Sequence, residues 1–195
     1  MTKRITLRRP DDWHLHVRDG AVLEAILPFT AKIFERAIIM PNLTPPIVLH
    51  QDASSYKARI KSVATAVGQP NFDPLMTLYL TETSDPQNIR EGFEGGIITA
   101  AKLYPAGATT NSDAGVQDIE KIYPVLETLQ ELGMPLLVHG EVVDSAIDIF
   151  DREAVFIERT LIKLVERFPD LPIVFEHVTS AEGIDFVASA SKKVA

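Results

Sequence analysis

Six short apolar runs punctuate the chain: Trp13–Val17, Ala37–Met40, Leu75–Leu80, Ile97–Leu103, Pro135–His139 and Ile173–Val178. Runs of this length, bounded by turn-forming residues, read as buried strands. Between them apolar residues recur at helical spacing, as in Ala53, Tyr56, Ile60, Val63 and Val67, and in Ala154, Ile157, Leu161, Leu164, Val165 and Phe168. A third periodic stretch, Val116, Ile119, Ile122, Leu126, Leu129 and Leu132, contains Pro124, which kinks a helix or marks its start. Thr179 and Glu182 have the spacing of a capping box that opens a last helix. Strands alternating with helices imply parallel βαβ units. Residues 1–195 read as one domain, because no linker, repeat or low-complexity tract divides them. A doubly wound sheet and a (β/α)8 barrel share this pattern. The absence of a Gly-rich phosphate fingerprint after an early strand weakens the nucleotide-binding version. The six βα units counted here fall short of the eight that a closed barrel needs, in about 250 residues. The expectation is an open sheet or a piece of a longer chain, and the piece is favoured.

Composition narrows the picture without changing it. Hydrophobic residues make up 46% and charged residues 24% of the chain, as in an ordinary globular protein. The net charge is −8 with no Lys/Arg-rich block, so nucleic acid is not an expected partner. An acidic protein that binds an anion needs local positive charge, from a metal or an arginine. Cysteine is absent, which excludes disulfides and thiolate metal sites. The segment MTKRITLRRPDDW lacks the apolar core of a signal peptide, and no run of apolar residues is long enough to span a bilayer. The cytoplasm is the default location, with no membrane partner.

The candidate chemistry lies at the ends of the strands. His14 and His16 are separated by one residue, and positions i and i+2 of a strand point to the same side, so their imidazoles can converge on one ion. The plain alternative is a pair of half-exposed histidines. Lys102 sits near the end of TAAKLYP, His139 ends PLLVHG and His177 ends IVFEH. The carboxyl edge of parallel strands is where ligands bind in both architectures. Independent placement of so many such residues there is improbable, and a shared metal site is expected. His50 lies in a polar stretch and reads as a surface residue. Lys102 has two readings. Burial lowers the pKa of its amine, and a neutral amine can add carbon dioxide to give a carbamate able to bridge two cations. It can instead pair with a carboxylate such as Glu141 or Glu176.

The segments RPDDWHLHVRDG, MPNLTPP, TAAKLYPAGATTNSDAG, MPLLVHGE, DIFDRE and VFEH resemble, in order, those of the compact bacterial dihydroorotases of the amidohydrolase superfamily. The resemblance implies a (β/α)8 TIM-type barrel, of which this chain carries about the first six units. It implies two zinc ions: His14 and His16 on the first, His139 and His177 on the second, with carboxylated Lys102 between them. Arg18 and Asn42, with His16 and His139, would meet the substrate, the arginine fork suiting a carboxylate. The alternatives are an Arg18–Asp19 surface pair and a turn-forming Asn42. Thr109 and Thr110 would belong to a mobile lid. The implied reaction is reversible hydrolysis of the dihydroorotate ring amide to N-carbamoyl-L-aspartate in pyrimidine synthesis, by an enzyme that the resemblance makes a homodimer. The aspartate that shuttles the proton in the family has no counterpart among these residues, so the chain is expected to be incomplete as a catalyst. Asp11, Asp12 and Asp19 match other family positions. Another cyclic-amide hydrolase (a hydantoinase or allantoinase) and a non-catalytic interaction module are the alternatives.

Overall fold

A computed structural model describes residues 3–195. Its strands are β1 (Asp12–Leu15), β2 (Arg36–Ile39), β3 (Asp73–Tyr79), β4 (Ile98–Leu103), β5 (Leu136–Val138) and β6 (Ile173–Phe175). They form one parallel sheet in the order β1-β2-β3-β4-β5-β6. The helices are α1 (Gly20–Ile33), α2 (His50–Ala66), α3 (Pro86–Glu94), α4 (Tyr123–Leu132), α5 (Arg152–Phe156), α6 (Ile162–Arg167) and α7 (Ala181–Ser189). The fold is thus α/β, with six parallel strands curled into a half-barrel. Residues 193–195 lie parallel against β6, the Ile173 amide donating to the Lys193 carbonyl at 2.8 Å and the Phe175 amide to that of Ala195 at 2.8 Å.

Strands in such a sheet are covered on both faces and so read as continuous apolar runs. Alternate side chains serve different cores. Ala37 and Ile39 of β2 join Leu23, Leu27, Tyr56, Ile60, Leu126 and Leu129 in a large cluster between the sheet and its helices. Ile38, Met40, Ala100 and Leu137 form a second, smaller cluster, as expected of the concave face of a sheet that curls.

Helix ends follow from the local sequence, with two adjustments to the reading above. Pro124 lies in the first turn of α4, where its missing N–H costs nothing; it starts the helix, after a 3-10 turn over Ile119–Ile122. The cap of α7 is Ser180, one residue beyond the expected Thr179: its hydroxyl accepts from the Gly183 amide at 3.1 Å. Thr179 is unavailable because its amide and hydroxyl both donate to Glu153, at 3.1 and 3.3 Å. His50 is also not a surface residue. Its side chain is 14% exposed, and it opens α2 against Gly92 of α3.

Candidate metal centre

The carboxyl ends of the strands bring the expected residues together. His14 and His16 flank Leu15 at the end of β1, and their Nε2 atoms face one another at 3.0 Å. Lys102, the fifth residue of β4, is fully buried. His139 follows β5 directly, its amide donating to the Leu103 carbonyl at 3.0 Å, and His177 lies two residues beyond Phe175 of β6. The His14 and His177 rings are 5.3 Å apart and those of His139 and His177 4.7 Å. With Tyr104 and Thr109 these four histidines line a cavity of about 230 Å³.

Lys102 pairs with Glu176, one of the two carboxylates considered above; Glu141 instead faces His139, at 3.5 Å. Glu176 is 6% exposed, and its Oε1 lies 2.9 Å from His14 Nδ1. Its importance was readable only in part. VFEH ends an apolar run with two consecutive polar residues, which in a regular strand point to opposite sides. A φ of 42° at His177 breaks that alternation and lets both residues serve one site. Tyr104, whose ring lies 4.8 Å from Lys102 Nζ, gave no signal, because an aromatic at a strand end reads as core.

Burial sets the protonation states. It pulls His16 down to about 4, helped by the charges of His14 and Arg18. It does the same to His139, to about 4, aided by His177 and Lys102. His177 is lowered too, by burial and then by Lys102. Burial likewise holds the Lys102 amine below its ordinary value against the opposing pull of Glu176. For Glu176, burial raises the pKa, but His14 and Lys102 outweigh it and keep the carboxylate below its usual range. Neutral imidazoles offer lone pairs, the form in which histidine binds a metal. His16 Nδ1 and His139 Nε2 are buried with no hydrogen-bond partner, a costly state that a ligand would relieve. Ligand atoms of His14, Glu176 and His177 lie within 4.8 Å of one another. The donor set fits a cation.

A polar wall stands beside the histidines. Arg18 does not pair with Asp19, which caps α1 and is held by Arg59 at 2.7 Å. Arg18 Nη1 donates instead to the Asn42 carbonyl at 3.3 Å, and the Arg18 carbonyl accepts from the Tyr56 hydroxyl at 2.5 Å. Asn42 is 2% exposed, so it is a buried anchor and no simple turn former. Its Nδ2 donates to the Thr110 carbonyl at 2.9 Å, and Asn111 Nδ2 donates to the Asn42 carbonyl at 3.0 Å. Thr109 and Thr110 therefore sit on a loop fastened to Asn42. Among the described residues the non-glycine positions with positive φ are Arg18, Asn111 and His177. All three are at this site. Such conformations cost roughly 1–3 kcal/mol each and persist where the surroundings fix them, commonly at functional sites.

Parallel βα units curled into a half-barrel, with histidines and a lysine at the strand ends, define the class as the fold of the TIM-barrel amidohydrolases. The L-hydantoinase of Arthrobacter aurescens shares it at a TM-score of 0.71, over 92% of this chain and 43% of that one, with 16% identity. That likeness concerns the fold alone. Within the class the chain is homologous, over its whole length, to the dihydroorotases. It is 54% identical over 195 residues to the dihydroorotase of Nitrosomonas eutropha, covering 100% of this chain and 56% of the relative. The dihydroorotase of Saccharomyces cerevisiae, solved in complex with 5-fluoroorotic acid, superposes at a TM-score of 0.85 with 35% identity, over 95% of this chain and 54% of that one. The chain spans about half the length of the curated relatives it matches. No family model matches it.

Proposed function

We propose that this site is the metal centre of a dihydroorotase, a zinc-dependent cyclic amidohydrolase that interconverts dihydroorotate and N-carbamoyl-L-aspartate in de novo pyrimidine synthesis. The observation that carries the reading is the convergence of His14, His16, His139 and His177 on one cavity beside Lys102 and the Arg18–Asn42 wall. In this reading His14 and His16 would hold one zinc and His139 and His177 a second, with carboxylated Lys102 as a ligand they would share. When bound, the two ions supply Lewis-acid activation of water and of the ring amide carbonyl.

The chain's own residues do the rest. Burial of the Lys102 amine favours its neutral form, whose lone pair attacks carbon dioxide; one N–H proton is then released to water by way of the paired Glu176 carboxylate, which is left ionised, and the carbamate remains. Arg18 supplies the fixed positive charge that a protein of net charge −8 needs to bind a carboxylate. The bound 5-fluoroorotic acid of the yeast relative carries such a group on a pyrimidine ring. Asn42, His16 and His139 line its approach, and Thr109 and Thr110 cover it. Asp11, Asp12 and Asp19 are not proton carriers here. Asp11 pairs with Arg36 at 2.5 Å, Asp12 accepts from the His14 amide at 3.0 Å, and Asp19 is occupied as above. A homodimer in the cytoplasm is carried over from the resemblance, and among the described residues no helix is long and apolar enough to cross a membrane. Nucleic acid and membrane have no part in this reading.

The test is turnover by the full-length protein of dihydroorotate against hydantoin. Dihydroorotate is the expected substrate, and Arg18→Lys, which loses the planar fork, should raise KM at least tenfold, a loss of about 1.4 kcal/mol. Preference for hydantoin, or an unchanged KM, would contradict the reading.

A further inference from the structure

Glu176 stands among the candidate donors with His14 and His177, yet it is placed to orient a ligand rather than to be one. Both of its carboxylate oxygens are already engaged: Oε1 lies 2.9 Å from His14 Nδ1, and Oε2 pairs with Lys102 Nζ. Its backbone is fixed as well, the Glu176 amide donating to the Val138 carbonyl at 3.1 Å as the ladder from β5 continues. At 6% exposure the carboxylate has little access to water, so its two protein partners set its orientation.

An ionised carboxylate only accepts hydrogen bonds, so the nitrogen facing it must carry the proton. For His14 that nitrogen is Nδ1. In the neutral ring Nε2 then carries no proton, and it faces His16 Nε2 at 3.0 Å. We propose that Glu176 is a positioning residue: it holds His14 in the Nδ1–H tautomer and so presents Nε2 to the metal. The inference rests on the metal reading above and deepens it. Carboxylates that fix the ring of a ligating histidine in this way typically contribute 10–100-fold to metal affinity.

Glu176→Gln makes the role separable from simple packing, because it is nearly isosteric. In the metal-free protein, where Lys102 is not carboxylated, Lys102 Nζ donates to Glu176 Oε2; the variant's amide oxygen takes that place, which leaves the amide nitrogen facing His14 Nδ1. That nitrogen is a donor, so the His14 proton should move to Nε2. Glu176→Ala removes the preference altogether.

The experiment uses full-length protein, isotopically labelled at histidine and stripped of metal, with the tautomer of His14 read from its ring-nitrogen shifts. Zinc affinity of the same preparations is read by competition with a chelator. Wild type should show Nδ1–H, Glu176→Gln should show Nε2–H, and zinc affinity should fall 10–100-fold in both variants while their circular dichroism is unchanged. A wild-type Nε2–H tautomer, or a Gln variant that keeps Nδ1–H and wild-type affinity, overturns the proposal. Wild type that binds no zinc would sink the metal reading instead, and the metal-free tautomers would still decide the role of Glu176.

Discussion

Gly140 shows how tightly the site is built at the scale of single residues. It follows His139, and a methyl group there would lie 1.8 Å from Phe175 Cε2 in the core. Gly140→Ala should therefore destabilise the fold by about 1–3 kcal/mol, read from the midpoint of urea unfolding, and displace His139. Glu153 supplies a pH test away from the histidines. Burial raises its pKa, but the hydroxyls and amides of Ser180 and Thr179 outweigh this and hold it below the ordinary 4.5. A depressed carboxylate contributes stability above its unfolded pKa and loses it as pH falls through the lower folded value. Glu153→Gln should thus cost about 1.5–3 kcal/mol at neutral pH, with the gap from wild type closing well below pH 4.5. A gap that is constant with pH would refute this. His139 and His177 could be found in the sequence because each is a polar residue closing an apolar run, and Lys102 because it interrupts one; burial there without a purpose is costly. His14 and His16 could be found because their spacing puts them on one side of a strand. Glu176 was found only as a possible partner for Lys102. Tyr104 and Asn111 were not singled out, since their roles depend on contacts with residues far away in the chain.

Among the elements, the loop after β4 is the one whose behaviour the contacts specify. Its ends are joined by the Val116 amide to the Tyr104 carbonyl at 2.9 Å, and its middle by Ser112, which accepts from the Thr109 amide at 2.8 Å. Asn42 and Asn111 then clasp it to the wall of the site. Asn111→Gly keeps the left-handed backbone and removes the clasp. Amide exchange at Gly107 and Thr109 should quicken about 3–10-fold, the equivalent of one net hydrogen bond; unchanged exchange would show that the clasp does not hold the loop. All six strands were legible, because buried parallel strands are uninterrupted apolar runs. Their ends were less so: β5 and β6 stop before His139 and His177. Two helices escaped notice for physical reasons. α1 carries Pro28 and exposes Val22, Phe29 and Ile33, so no single apolar face stands out. α3 buries only Ile89 and Gly92. The periodic stretch from Ala154 is helical as far as Arg167 but widens to π-helical turns at Ile157–Leu161, which its apolar spacing does not reveal.

At the scale of the whole molecule, the sheet gathers four histidines from three strand ends and Lys102 from a fourth onto one edge. Residues far apart in sequence thereby become one set of ligands, which is why the spacing along the chain suggested the site before any contact was visible. The most direct test of that claim is the zinc content of the full-length protein after reconstitution. About two zinc ions per chain are predicted, falling in His14→Ala/His16→Ala and in His139→Ala/His177→Ala double variants that remain folded. No bound zinc in wild type, or a zinc content in the two double variants unchanged from wild type, would contradict the account.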